Sequence, residues 1–182
     1  MPEDFRPTLL LSMPQLQDPN FAKTVILLCD YVPDGAFGLV LNRSTGAPAS
    51  GMVRLDPPVE SGNDLPLHTG GPVEPERGWI LTAEEPSGAE HRTIVPGLFL
   101  STSPQLLRQV LESRPAPRAL ILAGYAGWGP GQLDHELSQS AWLMSEIDLD
   151  LIFEIAPDVM WETAIRRLGA DPSALQMSHG VH

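Results

Sequence analysis

The sequence predicts a single α+β domain, residues 1–182, with a mixed, largely antiparallel β-sheet core flanked by helices. Three observations carry this. Short β-rich apolar runs divided by turn residues follow one another before Ser103, and helical spacing concentrates after it. The strand–helix–strand alternation of a doubly wound fold does not develop. The 19 prolines favour many short elements over a few long ones. At 182 residues, 42% hydrophobic and 19% charged, the chain suits one globular domain with a real core.

The elements follow in order. Residues 8–12 form a first strand ended by Met13-Pro14, and Gln17-Asp18-Pro19-Asn20 is a turn. Residues 24–31 are nearly all apolar, as expected of a central strand covered on both faces. Pro33-Asp34-Gly35 turns the chain into a hairpin partner over 36–42. Residues 44–66 are rich in Pro, Gly and Ser and read as a long loop. Strands at 67–69 and 78–82 flank Gly70-Gly71-Pro72. An exposed loop spans 84–90, and strands follow at 92–95 and 98–101. Ser103 caps a helix with Pro104 at its first position and Leu106, Leu107, Val110 and Leu111 on one face. A buried strand over 118–125, a helix over 130–144, a strand over 149–154 and a helix over 158–168 closed by Gly169 complete the fold. The tail from about residue 178 is expected to fray.

The formal net charge of −12 disfavours phosphate backbones and anionic lipid surfaces. The arginines available for a local basic patch are Arg108, Arg114 and Arg118, then Arg166 with Arg167. Cys29 is the single cysteine, so no internal disulfide forms. The start Met1-Pro2-Glu3-Asp4 is acidic where a signal peptide is basic, and no apolar run reaches the ~20 residues a bilayer span needs. A cytoplasmic protein that does not enter membranes is the expectation.

The most informative stretch is Gly124-Tyr125-Ala126-Gly127-Trp128-Gly129-Pro130-Gly131-Gln132. Read as strand, glycine-rich turn and helix start, it has the setting of a phosphate loop. Its details fit neither standard version. Pro130 stands where a Walker loop has lysine, and Gln132 where a dinucleotide fingerprint has glycine. The helix after it is expected to bury a stripe of Leu133, Leu137, Ala141 and Met144. Gly131 and Gln132 present helix-terminal N–H groups to an anion only with a cation nearby, and Arg77 is the candidate. His135-Glu136 lacks the second histidine of a zinc-protease helix, since Gln139 stands there, and the other histidines show no ligand spacing. No metal and no cofactor are expected. Cys29 reads either as a core residue or as a redox-sensing thiol.

Four motifs in sequence resemble the YqgE/AlgH family of bacterial proteins from about residue 9 to residue 168. They are Met13-Pro14 with Asp18-Pro19 and Phe21; Gly35-Ala36 with Gly38-Leu39-Val40-Leu41-Asn42-Arg43; Gly70-Gly71-Pro72-Val73 with Arg77-Gly78; and Gly124 through Leu133. The resemblance implies a compact α+β domain of the bacterial cytoplasm. Members are commonly labelled transcriptional regulators. Tyr31 and Thr82 stand where the family often has histidine, which argues against a shared histidine catalyst here.

The leading expectation is a non-enzymatic regulatory or binding protein that acts through a small anionic ligand or a protein partner. Its candidate site joins Asn42, Gly70, Gly71, Arg77, Gly127, Trp128, Gly131 and Gln132. Direct nucleic-acid binding is disfavoured by charge. The alternatives are a DNA-contacting regulator and a hydrolase-like enzyme with Cys29 as its nucleophile.

Overall fold

Near-continuous apolar strands build the centre of the fold. The computed structural model describes residues 5–16 and 18–179. Ten strands run β1 (Thr8–Ser12), β2 (Val25–Val32), β3 (Gly35–Val40), β4 (Ser44–Pro48), β5 (Pro66–Thr69), β6 (Val73–Thr82), β7 (Arg92–Val95), β8 (Leu98–Ser101), β9 (Ala119–Trp128) and β10 (Trp142–Ser145). Five helices are α1 (Pro104–Glu112), α2 (Gln132–Ser138), α3 (Leu149–Glu154), α4 (Pro157–Arg167) and α5 (Pro172–His179).

The main path of the sheet is β10-β1-β2-β3-β9-β6-β8-β7, and β5 joins β9 with β4 outside it. Pairing is antiparallel, except that β5 lies parallel to β9. The strand β9 is the keel. Its end at 126–128 pairs with β3, and its start at 119–123 lies between β5 and β6.

Strand alternation sends side chains to two covered faces. Leu9, Leu11, Val25, Leu27, Leu81 and Leu122 pack under Leu151, Ile152, Met160, Trp161 and Ile165 of α3 and α4. The opposite face carries two separate clusters. One joins Leu10, Ile26, Leu28, Val40 and Trp128 to Leu133 of α2. The other joins Ile80 and Ile121 to Leu106, Val110 and Leu111 of α1. Fully burying one such leucine is worth about 1.5–3 kcal/mol.

The structure corrects the sequence reading at several elements. The 44–66 segment is not all loop: its first residues form β4 on β5, followed by a 3₁₀ turn at Ala49–Gly51. The helix expected over 130–144 stops at Ser138, because Ser140 adopts φ 57° and turns the chain into β10. Met144 is therefore a half-exposed edge-strand residue and not part of a helical stripe. The segment expected as a strand over 149–154 is α3, whose cap Asp148 accepts from the Leu151 N–H. The glycine run is mostly strand, since β9 continues to Trp128. The helix α5 went unread. The frayed tail falls partly on the end of α5, and 180–182 lie outside the described residues.

Candidate functional site

The glycine-rich corner is explained by chain packing. Gly124 has φ 81°, a left-handed conformation that favours glycine. It resets the strand alternation: Leu122 and Tyr125, three residues apart, pack toward the same cluster. A Cβ on Gly124 would overlap the Gly71 carbonyl oxygen, and a Cβ on Gly71 or Gly70 would overlap the backbone of β9 at Tyr125 or Gly124. Gly70-Gly71 and Gly124 are thus two halves of one close backbone crossing. The Gly70 N–H donates to the Ala123 carbonyl, and its own carbonyl accepts from Val40.

The helix start beyond the corner is occupied by its own side chains. Gly131 caps α2 with φ 74°. The Gly129 N–H donates to Gln132 Oε1 at 3.1 Å, and the Gln132 N–H donates to the Gly129 carbonyl at 3.1 Å. Glu136 Oε1 accepts from two indoles, Trp128 Nε1 at 3.2 Å and Trp142 Nε1 at 2.9 Å. Its other oxygen accepts from Gln132 Nε2. Tyr31 donates to Asp134, which ties α2 to β2, and burial with that bond pushes the phenol up to about 12.

The expected ligand face does not converge. Trp128 and α2 lie on the sheet face opposite the cluster that receives Trp79 and Tyr125. Arg77 belongs to that other cluster. Its guanidinium sits 4.8 Å from the centre of the Trp79 ring and 3.7 Å from Glu74. Tyr125 bonds Glu74 in turn, and this bond raises its phenol pKa. Asn42 is a strand clasp: its Oδ1 accepts from the Val25 N–H, and its Nδ2 donates to the Lys23 carbonyl. Gly127 faces Phe37 across the β3–β9 ladder.

Cys29 is corrected as a redox or catalytic candidate. It is 1% exposed, and burial pushes its thiol up to about 12. Arg92 sits close enough to pull the other way, but it is spent on the Asp30 carboxylate at 2.7 and 2.9 Å and on the Cys29 carbonyl. Four of the basic-patch arginines are also engaged. Arg108 bonds Glu112 and the Pro57 carbonyl, Arg114 bonds Ser61 and Gly62, Arg118 pairs with Glu154, and Arg167 pairs with Asp148 and Asp150.

A groove that sequence reading missed lies on the α1 face. It encloses about 1200 Å³. Its floor is two side-by-side rows across β5, β9 and β6. Leu67, Ile121 and Ile80 form one row. Ala123 and Gly78 form the next, where the side chains are small. One wall is the 52–56 segment and the other is α1, with Gln105, Leu107 and Gln109. A third side is a bulge of β6, where the β9 ladder skips from Val73 to Gly78 and pushes Pro75 and Glu76 outward. Trp79 and Leu122 line the groove too, although alternation places their side chains on the opposite face.

Gly78 distinguishes this groove. Its φ is not positive, and a Cβ built on it meets nothing within 4 Å. Neither backbone conformation nor packing accounts for glycine there. The 52–56 wall is pinned, not loose: Arg108 holds the Pro57 carbonyl, and Asn63 Nδ2 donates to the carbonyls of Val110 and Ser113. The only hint in the sequence was that 44–66 was long and unpatterned.

Comparison with known proteins gives the chain its place. The family model described as AlgH-like matches residues 9–173. A UPF0301 protein of Myxococcus xanthus is 36% identical over 182 residues, covering 99% of each chain. One from Methylococcus capsulatus is 42% identical over 178 residues, covering 94% of each. The solution structure of the AlgH protein from Pseudomonas aeruginosa superposes with a TM-score of 0.74 at 31% identity, covering 97% of both chains. A Corynebacterium diphtheriae protein shares the fold, with a TM-score of 0.69 at 18% identity over 97% of this chain and 92% of its own. The chain belongs to the AlgH-like family.

Proposed function

We propose that this chain is a non-enzymatic cytoplasmic regulatory protein that works by holding a partner molecule in the α1 groove. The observation that carries this reading is Gly78, a glycine with no steric reason of its own on the floor of the largest cavity described. Glycine lets another molecule lie directly against the backbone. The lining is mostly apolar with a few polar groups, the usual make-up of a binding site. It contains no serine, cysteine or histidine, so it offers no Ser–His or Cys–His pair. The α1 groove lies on the same sheet face as the Gly127–Gln132 corner, but over a separate cluster of side chains.

The test is titration with N-phenyl-1-naphthylamine, a neutral dye that brightens in apolar surroundings. One equivalent binds the wild type, and Gly78→Leu, which fills the floor, abolishes the signal without lowering the melting temperature. Dye binding that survives Gly78→Leu places the apolar site elsewhere and ends this reading.

A further inference from the structure

We infer that the occupant of the α1 groove is an extended peptide segment that alternates apolar and basic residues. The inference rests on the binding reading above and adds the chemistry of what binds. Four features of the groove support it.

The first is size. About 1200 Å³ exceeds the roughly 300–1,000 Å³ typical of small-molecule sites, and the 52–56 wall leaves Met52 51% exposed at the rim. Methionine is the adaptable apolar residue of peptide-binding surfaces.

The second is the edge. The β9 ladder skips Glu74 to Arg77, and β8 pairs with β6 only at Ile80–Thr82. Among the described residues, the stretch of β6 that borders the groove therefore has no strand on its outer side. An extended segment has a backbone edge to follow there.

The third is the pair of primary amides on α1. Gln105 and Gln109 stand four residues apart on one helix face and line the groove. Neither side chain is hydrogen-bonded among the described residues. A carboxamide both donates and accepts, so it can bond a peptide backbone in either sense.

The fourth is charge. Arg108 is engaged by Glu112 and Pro57, which leaves Arg54 as the cation of the lining without an ion-pair partner among the described residues. Two carboxylates of the lining, Asp56 and Glu76, likewise have no ion-pair partner among the described residues and outnumber it. The whole chain at −12 steers cationic partners inward. An anionic ligand meets the opposite field.

The experiment compares three fluorescein-labelled octapeptides that alternate leucine with lysine, glutamine or glutamate. Anisotropy is read against wild type, Gly78→Leu, the groove pair Asp56→Asn with Glu76→Gln, and the control pair Asp158→Asn with Glu162→Gln. The control pair removes the same charge from exposed positions on α4, across the sheet. The expected result is lysine over glutamine over glutamate at one equivalent. Gly78→Leu then loses all binding, and the groove pair loses about tenfold for the lysine peptide only. Equal loss in the control pair means bulk attraction and overturns the proposal. Tightest binding of the glutamate peptide also overturns it. If the naphthylamine dye binds and no peptide does, the peptide proposal fails while the binding reading stands. If neither binds, both fail.

Discussion

The two glycine-bearing regions of this molecule look alike in sequence and differ in kind. At the Gly70-Gly71 crossing with Gly124, positive φ angles and carbonyl oxygens at the Cβ positions demand glycine. At Gly78, neither condition holds and open groove lies above. The first region is a joint that sets the register of β9. The second is a floor left bare. A glycine-rich motif is thus not one signal, and only the surroundings of each missing Cβ separate joint from site.

The largest expected effect sharpens this contrast. Gly124→Ala forces a left-handed conformation and a clash with a main-chain oxygen, so it costs about 3 kcal/mol or more in urea unfolding. Gly78→Ala stays within about 0.5 kcal/mol of wild type in the same measurement. Comparable losses at the two positions would erase the distinction.

Next comes the α2 corner. Replacing Glu136 with leucine strands the indole N–H groups of Trp128 and Trp142 and costs about 2–3 kcal/mol by thermal unfolding. Glu136→Gln keeps one acceptor and loses less. A neutral result for leucine would mean that solvent replaces the carboxylate.

The third effect is a pH dependence. His68 is 2% exposed, and its Nδ1 has no hydrogen-bond partner among the described residues. Burial lowers its pKa from 6.5, and the Pro66 and Ile121 carbonyls only partly oppose this. Below 6.5 the unfolded chain takes up a proton that the folded chain refuses. Stability is therefore full above 6.5 and falls as the pH drops toward the folded value, by at most about 1.4 kcal/mol per pH unit. His68→Phe removes that component of the slope. An unchanged slope would mean that His68 is solvated in the fold.

The smallest effect is at the bulge. Arg77 is 52% exposed, so Arg77→Ala costs about 1 kcal/mol or less and leaves dye binding within a fewfold of wild type. Loss of all binding would return Arg77 to the centre of the site.

Local chemistry made much of the fold legible. The Ser103-Pro104 start of α1 bonds as expected, with Ser103 accepting from the Leu106 N–H. The hairpin β2–β3 and the pair β7–β8 lie where turn residues place them. The failures have physical causes. The α3 segment Leu149–Glu154 is a short, mostly apolar run that periodicity alone does not separate from a buried strand, and only its Asp148 cap points to a helix. The α2 helix ends at Ser138, ahead of Ser140, a non-glycine residue in a left-handed turn that carries no stop signal in sequence. The candidate face failed because the glycine run is strand and not turn: ordinary alternation along β9 sends Trp128 to the α2 face and Tyr125, with Trp79 and its neighbour Arg77, to the other. The groove was illegible for a different reason. Its sides come from residues 52–56, 75–76 and 104–109, and its floor from three strands that only the sheet topology brings together.

The most direct test of the account is thermal unfolding of wild type, Gly78→Leu and Gly124→Ala with and without N-phenyl-1-naphthylamine. The account predicts that wild type and Gly78→Leu melt together without dye, that dye raises the transition of wild type and not of Gly78→Leu, and that Gly124→Ala melts well below both but is still raised by dye. A dye-induced rise in Gly78→Leu equal to that of wild type would contradict it.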